Sequence, residues 1–135
     1  MKIDIQDKEL KNYLVTLYFS DDLNETENNF ILKNYIQDKD EKERKEKEKI
    51  LIEGNLKKVI NVAIKYRTPE LNLIELIREG NKGLIYAVKN WTPDISENFT
   101  NYIYWNIEGF ILNYIIKKEK ELEKKWAVLT KMECQ

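Results

Sequence analysis

Apolar side chains recur at helical spacing over most of this chain, most clearly between Leu71 and Asn90. Within that segment Leu73, Ile77 and Leu84 fall on one face, and charged residues occupy the other. Val88 continues the same apolar face. Apolar positions that recur every three or four residues mark one side of an amphipathic helix. The pattern therefore predicts a helix over residues 71–90 with one buried face.

Two glycines interrupt this predicted helix, at Gly80 and Gly83. A glycine in a helix interior costs about 1 kcal/mol relative to alanine. We therefore expect a neighbouring helix or a partner to approach closely at these two positions.

Two helices are predicted in the first 40 residues. The first spans residues 4–19, and its apolar side carries Ile5, Leu10, Leu14 and either Leu17 or Tyr18. The second starts at Asn24, because Asn24 and Glu27 have the spacing of a capping box. Its apolar residues are Phe30, Ile31, Tyr35 and Ile36.

A third predicted helix runs without interruption over residues 41–66. Residues 41–49 are all charged and alternate in sign, which is typical of a solvated helix with ion pairs along its surface. Hydrophobic residues dominate the second half, which we expect to be buried. Pro69 ends this helix, since proline disfavours a helical conformation in the residue before it.

The last predicted helix covers residues 96–125. Its core-facing residues are Phe99, Ile103, Ile107, Phe110, Ile111 and Tyr114. No segment alternates as a β-strand does, so we expect an all-α fold, a compact helical bundle of about five helices. We expect residues 1–40 to form N-terminal helices, residues 41–125 the main helical domain, and residues 126–135 a tail.

The side of the last helix opposite its core face carries a tryptophan. Asn101, Trp105, Glu108 and Leu112 share this side. Either the first two helices cover Trp105, or it meets a partner. Aromatic side chains on an open face are one means by which proteins capture unstacked bases.

Composition narrows the classes of function. The formal net charge is −1, so any contact with DNA must come from a local patch or from stacking. The chain has no histidine and one cysteine, Cys134, which excludes an intramolecular disulfide and favours a cytoplasmic location. We expect no enzyme, no metal and no cofactor, because histidine, a glycine-rich phosphate loop and clustered carboxylates are all missing. No apolar run reaches the ~18 residues of a membrane span.

Three blocks of the sequence resemble region two of bacterial RNA polymerase sigma factors of the sigma-seventy family. Its first block is similar to NLKKV at residues 55–59 and AIKY at residues 63–66. Its polymerase-binding block is similar to LIELIREGNKGL at residues 73–84, and its promoter-melting block to FTNYIYWNI at residues 99–107. The order and spacing of the blocks fit the family, whose fold is a compact helical bundle.

The resemblance implies docking on the clamp coiled coil of the largest subunit of core RNA polymerase. The implied contact residues are Glu75, Arg78, Glu79, Asn81 and Ile85. Glu75 and Glu79 would form charge-assisted pairs with basic side chains of that coiled coil.

The resemblance also implies contact with the non-template strand of the promoter minus-ten element. The candidate DNA contacts are Phe99, Asn101, Tyr102, Trp105, Lys117 and Lys118. Helical periodicity, however, places Phe99 on the core side.

Several positions depart from the family pattern on the DNA side. Asn106 stands where the family carries a second tryptophan, Glu108 stands where it carries an arginine, and residues 92–98 contain no lysine or arginine. A glutamate facing phosphates is repulsive, and missing cations remove the counterion release that drives binding. Polymerase docking is therefore the better preserved half of the resemblance.

The sequence thus predicts a sigma-like transcription initiation factor that binds core RNA polymerase and engages the minus-ten element. A second protein could supply upstream promoter recognition. The alternative is a decoy or anti-sigma-like regulator that occupies the polymerase clamp without recognising promoter DNA. A third interpretation is a helical interaction module that has lost both activities.

Overall fold

The computed structural model describes residues 8–133, and these fold into six α-helices. They are α1 (Lys8–Tyr18), α2 (Glu25–Gln37), α3 (Glu41–Glu53), α4 (Leu56–Tyr66), α5 (Leu73–Asn90) and α6 (Phe99–Glu133). Among the described residues the only β-type pairing is a single bridge between Thr68 and Leu71. The predicted all-α helical bundle is confirmed. Ile5, predicted on the apolar side of the first helix, and Cys134 lie outside the described residues.

The centre of the bundle is the pair α5 and α6, with α4 packed against both. α3 packs on α5, α2 on α3 and α6, and α1 on α4. Most of the predicted apolar faces of α5 and α6 is buried: Leu84, Ile103, Ile107 and Ile111 are all 0% exposed. Phe110 and Tyr114, predicted on the core face of α6, are only partly buried. Burial of these two stripes against each other therefore organises the core.

Gly83 lets the two central helices come into backbone contact. A Cβ built at Gly83 would lie 2.5 Å from the carbonyl oxygen of Asn106 and 2.9 Å from the Cα of Ile107. At Gly80 a Cβ would lie 2.6 Å from Val59 Cγ1 of α4. The close approach expected at both glycines is confirmed, and the approaching groups belong to this chain.

The single helix predicted over residues 41–66 is wrong, because the chain breaks between α3 and α4 at Gly54 and Asn55. Asn55 is fully buried, and its side-chain amide donates 2.8 Å to Asn28 Oδ1 and 2.6 Å to the Leu51 carbonyl. Asn28 returns a 2.9 Å hydrogen bond to Asn55 Oδ1. The Leu23 N–H donates to the Gly54 carbonyl at 2.8 Å. These contacts with α2, the residue before it and the last turn of α3 replace helical hydrogen bonds lost at the break.

The N-terminal helices confirm the predicted cap and correct part of the predicted apolar side. Asn24 and Glu27 form the capping box. α2 buries Asn28, Leu32 and Tyr35, whereas Phe30 is 70% exposed. Apolar spacing misses this face because its first position is an asparagine that becomes buried by pairing with Asn55. On α1 the buried residue is Leu17, and Tyr18 is exposed.

α6 is longer than predicted and continues to Glu133. Its residues 119–131 are all exposed, so this part of the helix extends past the bundle. The loop that precedes α6 ends at Asn98, whose side chain accepts a 2.8 Å hydrogen bond from the Asn101 N–H. Within residues 8–133 no helix is both long and apolar enough to cross a membrane.

Candidate functional site

The outer face of α5 forms the first candidate surface. Glu75, Arg78, Glu79 and Asn81 line one open groove together with Lys82, and two residues of α6, Tyr114 and Lys118, complete its wall. Ile85 is 37% exposed on the same helix but does not line the groove. Four of the five predicted docking residues are thus brought together by α5, and α6 adds two that the polymerase-binding block does not contain.

Glu75 is held in place by Tyr114. The Tyr114 hydroxyl donates a hydrogen bond to Glu75 Oε2, and burial together with this carboxylate raises the pKa of Tyr114 to about 12. The Lys118 ammonium lies 5.6 Å from the centre of the Tyr114 ring, within the range of a cation–π contact. Apolar spacing marked Tyr114 as a core residue, and nothing in the sequence pattern indicated this role.

Two further residues of the groove differ in their pairing: Glu79 forms an ion pair, whereas the side-chain oxygen of Asn81 has no hydrogen-bond donor among the described residues. Lys82 Nζ lies 2.9 Å from Glu79 Oε1. Asn81 Oδ1 is buried and accepts no hydrogen bond from the described part of the chain. Buried acceptors without a donor are uncommon in native structures, and Asn81 Oδ1 is one of them.

The second candidate surface is the exposed side of α6 around Trp105. The Trp105 side chain is 69% exposed, so the first two helices do not cover it. Tyr102 is buried, with its ring centre 6.3 Å from that of Trp105 at an interplanar angle of 47°. Asn101 and Leu112 are exposed on the same side. The arrangement presents one indole, supported from the core by a tyrosine.

Three of the predicted DNA contacts lie apart from this surface. Phe99 is 1% exposed and packs edge-on against Trp91, with ring centres 6.0 Å apart; the periodicity that placed it in the core is confirmed. Lys118 lines the α5 groove. Lys117 is exposed but lies about 18 Å along the helix axis from Trp105. Whether these residues contact DNA stays a prediction.

Glu108 lies one turn after Trp105 and is held by Tyr66 of α4. The Tyr66 hydroxyl donates to Glu108 Oε1. This hydrogen bond, followed by burial, raises the pKa of Tyr66 above its usual value of 10.0. The sequence correctly placed Glu108 on the exposed side of the helix. The contact with Tyr66 could not be predicted from local spacing, because Tyr66 belongs to another helix.

Asn106, the position of the missing second tryptophan, is turned inward. Its Nδ2 donates a 2.8 Å hydrogen bond to the Tyr102 carbonyl in the preceding turn. The Trp91 indole N–H closes the neighbouring loop by donating 3.2 Å to the Glu97 carbonyl. Trp105 is therefore the more exposed aromatic ring on this side of α6, at 69% against 36% for Tyr104.

Both surfaces lie within the part of the chain that matches a known family. The family model described as Sigma-70 region 2 matches residues 51–121, which is more than half of the 135 residues. The match takes in the end of α3, all of α4 and α5, and α6 as far as Glu121.

Curated proteins similar to this region are bacterial. RNA polymerase sigma-B factor of Myxococcus xanthus is 39% identical over 67 residues, which is 50% of this chain and 27% of the relative. RNA polymerase sigma-C factor of the same organism is 39% identical over 67 residues, 50% of this chain and 23% of the relative. RNA polymerase sigma factor SigA4 of Synechococcus elongatus is 40% identical over 55 residues, 41% of this chain and 18% of the relative.

The chain thus spans about a quarter or less of the length of these relatives. The matched region contains the helices that present both candidate surfaces. Because the family model matches more than half of its residues, this chain belongs to the Sigma-70 region 2 family.

Proposed function

We propose that this chain acts in transcription initiation by docking on core RNA polymerase through α5 and engaging the promoter minus-ten element through Trp105. A second protein that supplies upstream promoter contacts is part of the same proposal. The relatives are named RNA polymerase sigma factors, and we infer that the region this chain shares with them has the same role in transcription initiation.

The observation that carries the proposal is the outer face of α5, which has a defined shape before any partner binds. At Gly83, α5 packs directly against the backbone of α6. The Tyr114 hydroxyl donates a hydrogen bond that orients the Glu75 carboxylate. A surface whose side chains are already ordered loses less conformational entropy on association. Its expected partner is the clamp coiled coil of the largest polymerase subunit.

The chemistry of this face suits a partner with basic side chains. Glu75 and Glu79 are partly buried carboxylates, and charge-assisted hydrogen bonds to arginine or lysine are about twice as strong as neutral ones. Ile85 adds an exposed apolar contact.

The DNA half of the proposal depends on Trp105. Stacking of a base on an aromatic side chain contributes about 1–3 kcal/mol. An indole that is 69% exposed, with Tyr102 behind it, offers a free face to a base that has left the duplex.

One observation favours a second candidate function, a clamp-binding regulator that does not recognise DNA. Glu108 stands on the same side as Trp105, and residues 92–98 before α6 include Asp94 and Glu97 but no cation. Phosphates would be repelled here, and counterion release would contribute little.

The docking half is tested by measuring the affinity of the full chain for core RNA polymerase, with Glu79→Lys as the variant. We expect the charge reversal to weaken binding at least about tenfold, because it opposes the basic partner and also repels Lys82. Glu46→Lys is the matched control, since Glu46 is an exposed residue of α3 away from the groove. Equal affinities of the two variants, or no binding by the wild-type chain, would contradict the docking proposal.

The DNA half is tested by promoter opening with the chain bound to polymerase. Trp105→Ala should reduce open-complex formation while leaving polymerase affinity unchanged, because Trp105 faces solvent and does not line the α5 groove. Open-complex formation that is undetectable for both proteins, with polymerase binding intact, would favour the clamp-binding regulator.

A further inference from the structure

The carboxylate of Glu108 is an unneutralised acceptor beside the indole of Trp105. Residues three apart on a helix are surface neighbours, so Glu108 and Trp105 lie side by side on α6. Glu108 is exposed, and the ion pairs within residues 8–133 do not include it. A group that approaches the Trp105 ring therefore meets a carboxylate that no cation neutralises.

This carboxylate has a fixed position. Tyr66, in the last turn of α4, donates its hydroxyl hydrogen to Glu108 Oε1. A carboxylate has about four acceptor sites, so one bond from Tyr66 leaves most of them available. The second oxygen receives no hydrogen bond from the described residues. Glu108 is thus oriented by another helix and still able to accept two hydrogen bonds from a ligand.

We propose that Glu108 is a specificity-determining residue that selects guanine among single-stranded DNA bases next to Trp105, with Tyr66 as its positioning residue. The inference rests on the proposed function, in which the Trp105 surface engages an unpaired DNA strand. On this proposal Glu108, whose negative charge repels phosphates, contributes to binding by recognising a base.

The chemistry of the bases gives the order of preference. An unpaired guanine presents two adjacent donors on its Watson–Crick edge, N1–H and N2–H, which match the two oxygens of a carboxylate. Cytosine and adenine each present one amino group beside a ring-nitrogen acceptor. Thymine presents a single N3–H between two carbonyl oxygens, which a carboxylate repels. Unstacked bases are read by hydrogen bonds to these same edges.

Base reading and simple phosphate repulsion have different consequences. Repulsion acts on every strand equally, because every strand carries the same phosphates. A hydrogen-bonded contact changes affinity only for the base that supplies the donors, and a good bidentate contact discriminates by roughly fivefold or more. The dependence on base identity therefore separates the two roles of Glu108.

The test uses fluorescence anisotropy of labelled single-stranded oligonucleotides of about twelve nucleotides, a length within the range of single-strand binding sites. One probe is all thymine, and three others carry guanine, adenine or cytosine at every third position. Each is titrated with the full chain, alone and bound to core RNA polymerase. The proteins are wild type, Glu108→Gln, Tyr66→Phe, and Glu46→Gln as the control for loss of one negative charge.

We expect the wild-type chain to bind the guanine probe about fivefold more tightly than the thymine probe. Glu108→Gln should abolish the preference for guanine, because an amide offers one donor and one acceptor and can therefore pair with the Watson–Crick edge of any of the four bases. Tyr66→Phe should reduce the guanine preference without reversing it, and Glu46→Gln should retain it.

Equal changes for all four probes in Glu108→Gln would overturn base reading and leave DNA engagement standing. If the wild-type chain binds no probe in either condition, the DNA half of the proposed function fails with the inference. Polymerase affinity, measured separately, then shows whether docking survives.

Discussion

At the scale of single residues, two tyrosine hydroxyls hold carboxylates at the two candidate surfaces. Tyr114 of α6 holds Glu75 of α5, and Tyr66 of α4 holds Glu108 of α6. Immobilising a flexible side chain on binding costs about 0.5–1.5 kcal/mol. Because both carboxylates are already positioned by a neighbouring helix, a ligand at either surface meets a smaller entropic cost.

The hydroxyl of Tyr114 should make alkaline stability depend on pH. Its pKa is raised from 10.0 to about 12, so the folded state favours the neutral phenol. That stabilisation is fully present below pH 10 and is lost as pH rises from about 10 through 12. Tyr114→Phe should therefore lower the free energy of unfolding at pH 8, and the gap to wild type should narrow at pH 11.5. Urea unfolding followed by circular dichroism at both values measures this.

Tyr18→Phe serves as the control for that experiment, because the Tyr18 side chain is 77% exposed and the substitution keeps its ring. Its difference from wild type should be small at both pH values. A Tyr114→Phe deficit that stays constant from pH 8 to 11.5 would show that the phenol does not stabilise the fold through its protonation state.

At the scale of elements, the backbone contact between α5 and α6 sets the position of the docking face. The Asn106 carbonyl and the Ile107 Cα approach the site of a missing Cβ at Gly83. These are backbone atoms of a buried helix and cannot rotate away. Any side chain at Gly83 must separate the helices that carry Glu75 and Tyr114.

Two glycine-to-alanine substitutions should have opposite effects on stability. Gly83→Ala should destabilise the protein by about 1–3 kcal/mol, since the added methyl overlaps the α6 backbone. Gly109→Ala should stabilise it by up to about 1 kcal/mol through helix propensity, because no atom lies within 4 Å of a Cβ at Gly109. Both are measured as shifts in the urea midpoint, and stabilisation by Gly83→Ala would contradict the contact.

At the scale of the whole molecule, the protein consists of a packed bundle and a helical extension. Residues 122–131 of the extension are exposed, including Leu122, Trp126 and Leu129. The family match also ends at residue 121. Stability should therefore reside in the bundle.

Truncation after Glu121 should leave the fold intact, because it removes residues that bury little surface. We expect a melting temperature within about 4 °C of the full chain, and unchanged affinity for core RNA polymerase. Thermal unfolding by circular dichroism measures the first and a binding titration the second. A truncated chain that fails to fold would show that the extension stabilises the bundle.

Much of the architecture was predictable from local patterns. The apolar stripe of α5 and the stripe Phe99, Ile103 and Ile107 of α6 are buried as expected. Helical periodicity alone determines which face of a helix is apolar, so these stripes could be identified without knowing the neighbouring helices. The Asn24 capping box formed for the same reason, since its partners are three residues apart. The angle of Trp105 on α6 placed it opposite the core face but left open whether the first two helices cover it, and the structure shows the side chain 69% exposed.

The features that local sequence patterns did not predict depend on contacts between residues far apart in the chain. The break at Asn55 depends on Asn28, and the orientations of Glu75 and Glu108 depend on Tyr114 and Tyr66. The sequence determined which helices form and which faces they bury, because hydrophobic spacing acts within a helix. Only the tertiary structure could decide where a helix breaks and which carboxylates are held, because a buried polar group is stabilised by a partner that packing brings from another helix.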